Sequence, residues 1–345
     1  MNFLRKILFP FAVLYGFVTQ VRNFLFDIGI LKSHAFKIPV IAVGNLSVGG
    51  TGKTPQIEYL IRLLARNHKL ATLSRGYKRK SYGFIIADEN ASAEILGDEP
   101  FQFYQKFPQI NVAVDANRKN GIEQLLKQAK PDIVLLDDAF QHRKVNAGFY
   151  ILLTAYGDLY ADDFMLPTGN LRESRTGAIR ANVIIVTKCP PNLSEAEQDY
   201  IWKKIDPGFN QQLFFTYVDY DHQVFSKDLV LDVVQIKNTK KMLLAGIAKP
   251  QPFFDYLKNE NDVILEFQDH HDFSDADVAS IRNKANGKII VTTEKDYVRL
   301  RGKIDDEQLF YLPIQSKFIS ESQSFDKTIL QYIEKAKAEA RFANL

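Results

Sequence analysis

The run Gly49-Gly50-Thr51-Gly52-Lys53-Thr54 has the residue types and spacing of a loop that wraps phosphate oxygens. Glycines let backbone amides curl around an anion, Lys53 reaches β- and γ-phosphates, and the Thr54 hydroxyl suits a magnesium ion. The apolar run Val40-Ile41-Ala42-Val43 precedes the loop and a helical pattern over 57–66 follows it, which is the strand-turn-helix context this chemistry needs. Pro55 is tolerated because amides of a first helical turn lack intrahelical partners. Ser47 stands where the pattern would have its first glycine, and Gly49 and Gly50 supply the flexibility instead. ATP and Mg2+ are the ligands implied.

A phosphate loop of this kind works with a carboxylate at the tip of a neighbouring strand. Ile133-Val134-Leu135-Leu136-Asp137-Asp138 ends an apolar run in paired acids, as a metal-positioning strand does. These two motifs specify nucleotide chemistry but not an acceptor. Other polar clusters bear on the acceptor: Gly97-Asp98-Glu99-Pro100 at a helix start, Ala139-Phe140-Gln141-His142 after the paired acids, the 166–173 loop and Asp269-His270-His271-Asp272. A group that phosphorylates a hydroxyl needs a carboxylate or histidine to take the proton and cations against the moving phosphoryl. The adjacent histidines are poor partners for one metal ion, because neighbours on an extended segment point opposite ways.

The elements that must hold these residues alternate along the chain. Strand patterns at 70–74, 84–87, 112–114, 133–136, 150–153 and 183–187 are interleaved with helical patterns at 121–129 and 194–204, the last with a Ser194/Glu197 capping box. This alternation predicts a mostly parallel sheet flanked by helices. Around 214–233 the pattern changes to an extended hairpin, after which a second α/β series begins: strands at 242–247, 263–267 and 289–293, a helix near 253–258 and another from Ser274. An amphipathic helix closes the chain over 324–341. Thr187-Lys188, after a strand, is a candidate contact for the nucleotide base.

At 345 residues, 46% apolar and 25% charged, the chain is long enough for two cores. Its single cysteine, Cys189, excludes an internal disulfide, and a net charge of +3 gives no footprint for nucleic acid. The basic excess is local: residues 1–40 carry Arg5, Lys6, Arg22, Lys32 and Lys37 against Asp27. Between Ile7 and Val21 there is no charge at all, yet the run is shorter than the roughly 20 apolar residues of a membrane span and contains Pro10 and Gly16. No small-residue cleavage pattern follows it, so it does not read as a signal peptide. A helix lying in a membrane interface and a helix packed on the protein's own core both fit.

Taken in order, Ser47 to Pro55, Leu73-Ser74-Arg75-Gly76-Tyr77, Gly97 to Pro100, Asp137 to His142, Gly169-Asn170-Leu171-Arg172-Glu173 and Asp269-His270-His271 resemble the motif set of the tetraacyldisaccharide 4'-kinase family. Ala139 stands where that family often has glycine. The resemblance implies a P-loop NTPase-type α/β fold with a second, smaller α/β lobe joined by a two-stranded linker, with boundaries at 1–31 (membrane-interface helix), 32–213, 214–236 and 237–345. It implies transfer of the ATP γ-phosphate to the 4'-hydroxyl of tetraacyldisaccharide 1-phosphate, giving lipid IVA. Asp98 would be the base and His270 its partner, with Lys53 and Asp138 also catalytic. Thr54, Glu99, Asp137 and Asp138 would arrange the metal, and Arg75, His142, Thr168, Asn170, Arg172 and Glu173 would lie near the lipid A disaccharide. The partners implied are that lipid and the cytoplasmic face of the inner membrane, bound peripherally; no obligate protein partner is evident. A membrane-associated ATPase switch would leave the loops at 98, 172 and 270 without work, and a kinase of a soluble metabolite would leave the apolar N-terminus without a role.

Overall fold

The structure is a computed structural model that describes residues 5 and 7–342; Lys6, counted above among the N-terminal cations, lies outside them. Helix α1 (Phe9–Asp27) opens the described fold, with Pro10 in its first turn. It buries only Ala12, Gly16 and Thr19, a narrow stripe at helical spacing. Phe9, Phe11, Val13, Leu14, Phe17, Val18 and Phe24 remain exposed.

Strand β1 (Val40–Asn45) then leads through the glycine loop into α2 (Lys53–Leu64). Every residue of β1 is buried, as expected of a strand covered on both faces. There follow β2 (Leu70–Ser74), the short β3 (Ile85–Ile86), α3 (Ala93–Leu96), α4 (Asp98–Lys106), β4 (Asn111–Val114), α5 (Arg118–Gln128), β5 (Ile133–Asp137), β6 (Phe149–Ala155), β7 (Val183–Thr187), α6 (Glu195–Ile205) and β8 (Gln212–Tyr220). The Ser194/Glu197 capping box forms at the start of α6.

The chain then crosses to a second sheet: β9 (Gln223–Phe225), β10 (Val230–Asp232), α7 (Val233–Asn238), β11 (Met242–Ala245), α8 (Gln251–Leu257), β12 (Val263–Glu266), α9 (Asp275–Ala285), β13 (Ile290–Thr293), α10 (Glu294–Leu300) and β14 (Leu309–Leu312). It returns along β15 (Ile314–Phe318) and ends in α11 (Ser322–Phe342).

The first sheet runs β15-β8-β7-β6-β1-β5-β2-β4-β3. Strands β8 to β4 in that order are parallel, and the two edges are antiparallel. The second sheet runs β10-β9-β14-β13-β11-β12. Both crossings between sheets share one place, since β8 carries the chain out and its antiparallel neighbour β15 brings it back. Residues 314–342 therefore differ from their sequence grouping with 237–345. The stripe Phe325, Ile329 and Ile333 of α11 is buried in the core of the first sheet beside Ile57, Ile61 and Phe214.

The parallel pairing of β1 with β5 puts the end of β1 next to Asp137. In open parallel sheets the carboxyl ends of strands are where ligands bind.

Candidate active site

The glycine loop is shaped by backbone. Gly52, the N-cap of α2, sits at φ 82°, and Gly49 at φ 116°, both in the region that glycine enters without a Cβ clash. Asn45, at the end of β1, donates from Nδ2 to the Ser47 carbonyl at 2.6 Å. Thr187, at the end of β7, donates from Oγ1 to the Thr51 carbonyl at 2.8 Å. From the other side Val48 N donates to the Asn170 carbonyl at 2.8 Å, so the 164–173 loop closes over the turn. Thr187 thus supports the loop rather than reaching for a base. Lys188 faces the loop too: a Cβ on Gly50 would lie 3.7 Å from its Nζ.

Lys53 reaches Asn45 Oδ1 at 3.3 Å and Asp138 Oδ1 at 3.5 Å. Arg172 Nη1 donates to both Asp138 oxygens at 3.1 Å. Burial alone would raise the Asp138 carboxyl, but the Lys53 and Arg172 cations outweigh it and hold the carboxyl below its ordinary range. Its neighbour Asp137 is pushed up to about 6 by burial and by the Asp138 charge. Ser74 Oγ donates to Asp137 Oδ2 at 3.3 Å.

These are conditions a divalent cation would satisfy. A magnesium ion takes one or two carboxylates, a hydroxyl, waters and phosphate oxygens rather than a closed protein cage. Thr54, Asp137, Asp138 and Glu99 supply hard oxygen donors of that kind, and among the described residues no cluster of three or more His, Cys, Asp or Glu forms a cage by itself. The residues fit the ion.

A second group assembles at the N-terminus of α4. Asp98 and Glu99 are its first two residues, favoured there by the unpaired amides of the first turn. Arg299 of α10 grips Asp98 Oδ2 through Nη2 and through Nε, the latter at 3.1 Å. His270 Nδ1 lies 3.4 Å from the same oxygen and 2.8 Å from Arg299 Nη2. Burial pushes the Asp98 carboxyl up, and the bonds from His270 and Arg299 more than reverse this, leaving it at about 2. Lys295 Nζ donates to Glu99 Oε1 at 2.6 Å. His270 adopts φ 58°, whereas His271 turns away to Asp277 Oδ2 at 3.1 Å. The two adjacent histidines point apart.

The remaining candidates fall into two sets. His142 is held down to about 4 by burial and then by the Arg118 and Arg75 charges, which places it in a cationic corner and keeps it neutral near pH 7. Arg118, the first residue of α5, donates to the carbonyls of Asp115 at 2.6 Å and Asp137 at 3.2 Å. Thr168 and Glu173, by contrast, are buried inside their loop. Glu173 accepts from Arg180 at 2.8 Å, Gln141 at 2.9 Å and Asn23 of α1 at 2.8 Å. Asn170 accepts from Arg5 at 3.1 Å. The 164–173 loop is therefore a scaffold that joins α1 to the glycine loop.

Arg299, Lys295 and Arg118 were not among the sequence candidates. A signal for the first two did exist. Thr293-Glu294-Lys295-Asp296 is a capping sequence, and Thr293 Oγ1 accepts from Asp296 N at 3.3 Å, starting α10 directly from the end of β13.

Residues 4–334 match the family described as tetraacyldisaccharide-1-P 4'-kinase. A tetraacyldisaccharide 4'-kinase of Flavobacterium johnsoniae is 69% identical over 97% of this chain and 98% of its own length. One from Bacteroides thetaiotaomicron is 43% identical, covering 99% and 96%. The solved Aquifex aeolicus LpxK in complex with ATP is 31% identical and superposes with a TM-score of 0.78 over 96% of this chain and 99% of that one, so the two share the P-loop NTPase-type α/β fold. With a family match over nearly the whole chain, close relatives of the same length and a shared fold, the chain belongs to the tetraacyldisaccharide 4'-kinase family.

Proposed function

We propose that this protein is an ATP-dependent lipid kinase that moves the γ-phosphate of ATP to the 4'-hydroxyl of tetraacyldisaccharide 1-phosphate, forming lipid IVA. The observation that carries this reading is the pairing of two groups: Lys53 beside Asp138 at the glycine loop, and Asp98 beside His270 where the second lobe meets the first. The first suits a nucleotide and the second an acceptor hydroxyl.

The amides of Gly49 to Thr54 and the Lys53 ammonium bind the phosphates and orient the γ-phosphoryl. Thr54, Asp137, Asp138 and Glu99 would hold Mg2+ and its waters. Mg2+, when bound, would supply positive charge against the charge on the transferring phosphoryl. Asp98 accepts the proton of the 4'-hydroxyl at its carboxylate, and His270 orients that carboxylate. A base held near 2 suits a loose transition state, in which the hydroxyl proton leaves late and orientation matters more than basicity. Arg75, His142, Asn170 and Arg172 line the acceptor side, while Thr168 and Glu173 support it from within the loop. In this reading residues 32–220 with 314–342 form the ATP lobe and 223–312 the second lobe.

The acceptor carries four acyl chains, and each CH₂ drawn into water costs about 0.8 kcal/mol. The enzyme therefore works at the lipid surface, on the cytoplasmic face of the inner membrane, with α1 laid in the interface. No helix among the described residues is long and apolar enough to cross a membrane. The exposed phenylalanines of α1 support shallow insertion and weigh against packing on the protein's own core.

Purified protein with ATP, Mg2+ and the lipid A disaccharide 1-phosphate in detergent micelles should yield the bisphosphorylated product. Product no higher than that of a Lys53→Ala control sinks the assignment. Leu14→Glu with Phe17→Glu should weaken association with anionic vesicles, and unchanged partitioning would return α1 to a role within the protein.

A further inference from the structure

Beneath the site, three buried or partly buried charges join three helices. Lys106, the last residue of α4, lies 2.8 Å from Glu58 of α2 and 2.5 Å from Glu294, the first residue of α10. Glu58 is 1% exposed and Glu294 8%, so both carboxylates rely on protein partners, and the Lys106 ammonium is the one they share. Arg62 at 2.8 Å and Gln102 at 2.9 Å complete the shell around Glu58. Glu294 also accepts from Ile314 N at 3.3 Å, the first residue of the strand that returns the chain to the first sheet.

Each of these helices carries site residues. Lys53 and Thr54 begin α2, Asp98 and Glu99 begin α4, and Lys295 and Arg299 belong to α10. Glu58 and Lys106 come from the first lobe and Glu294 from the second. We propose that the Glu58–Lys106–Glu294 junction is a positioning device for phosphoryl transfer, fixing the second lobe so that His270, Lys295 and Arg299 meet Asp98 and Glu99. A bare apolar contact at a crossover would tolerate sliding. An ammonium bridging two buried carboxylates is directional, because a small displacement of the second lobe parts Glu294 from its cation while Glu58 keeps Arg62.

The proposal rests on the kinase reading, and its test separates the two. Spin labels at Ala196→Cys and Val234→Cys report the distance between lobes without any substrate, and Cys189 is buried away from the label. Lys106→Met is expected to broaden that distance distribution and to lower kcat by about 100-fold with the KM for ATP nearly unchanged. Lys106→Arg is expected to restore both. Should Lys106→Met fail to fold, the triple variant Glu58→Gln, Lys106→Met, Glu294→Gln removes the buried charges together; it should melt like the wild type yet keep the kcat defect. A distribution as narrow as wild type in whichever variant folds, or a triple variant with wild-type kcat, overturns the proposal. Wild-type protein that makes no lipid product sinks the kinase reading while the distances still decide the junction.

Discussion

The two walls of the cleft are built in opposite ways. The glycine-loop wall is made by contiguous backbone: a buried strand, a turn and a helix within residues 40–64, braced by Asn45 and Thr187. The facing wall is made by side chains from three separate places, Asp98 on α4, His270 in the loop after β12, and Lys295 and Arg299 on α10, joined across the seam between lobes. The first lies wholly within the first lobe. The second forms only where the lobes meet, so under the proposed roles binding of nucleotide and assembly of the base are separable events.

Substitutions can break or sharpen that contrast. Lys53→Ala should lower product formation most, on the order of 1000-fold, because a preorganised cation at the transferring phosphoryl is lost. Its melting temperature should stay near wild type. Asp98→Ala should cost on the order of 100-fold in kcat while leaving ATP binding intact, as read by titration with the nucleotide. Lost ATP binding with turnover per bound ATP preserved would mean the walls are not separable and Asp98 is not the base. Acid stability offers a third test. The folded Asp98 carboxyl lies at about 2 against an ordinary 3.8, so its stabilisation is present above about pH 4 and is lost as pH falls toward 2. The difference amounts to about 2 kcal/mol. Arg299→Ala should flatten the fall in melting temperature between pH 5 and 3, and an unchanged slope would detach Arg299 from Asp98. The same variant should show the smallest catalytic loss of the set, about tenfold, as expected for one charged hydrogen bond.

The contrast also explains what could be read from the sequence. Local motifs declare themselves: the loop at 49–54, the acids at 137–138 and most strands lie where the residue pattern puts them, because each is specified by a few consecutive residues. Residues 294–300 escaped because that short helix starts without a linker at the end of β13, and its Thr293 cap is visible only to someone looking for a helix there. The partnership of Arg299 with Asp98 joins residues about 200 apart in sequence and has no local signature. Likewise the return of 314–342 to the first sheet depends on which core accepts Phe325, Ile329 and Ile333, and an amphipathic stripe names a face but not its address. For Glu173 the family resemblance implies a place near the substrate, and what no local pattern could add is that its three partners, Asn23, Gln141 and Arg180, bury it inside the loop.

One chain of contacts begins on α1. Tyr15 Oη donates to the Arg172 carbonyl at 2.8 Å, Arg172 holds Asp138 at 3.1 Å, and Asp138 faces Lys53 at 3.5 Å. Three links thus connect α1, the helix proposed to rest on lipid, to Lys53, the lysine proposed to meet phosphate. Under the proposed membrane role, cutting away that helix would damage two things at once, the anchor and the geometry around Lys53, so a truncated protein idle on micelles would not report lost membrane contact alone.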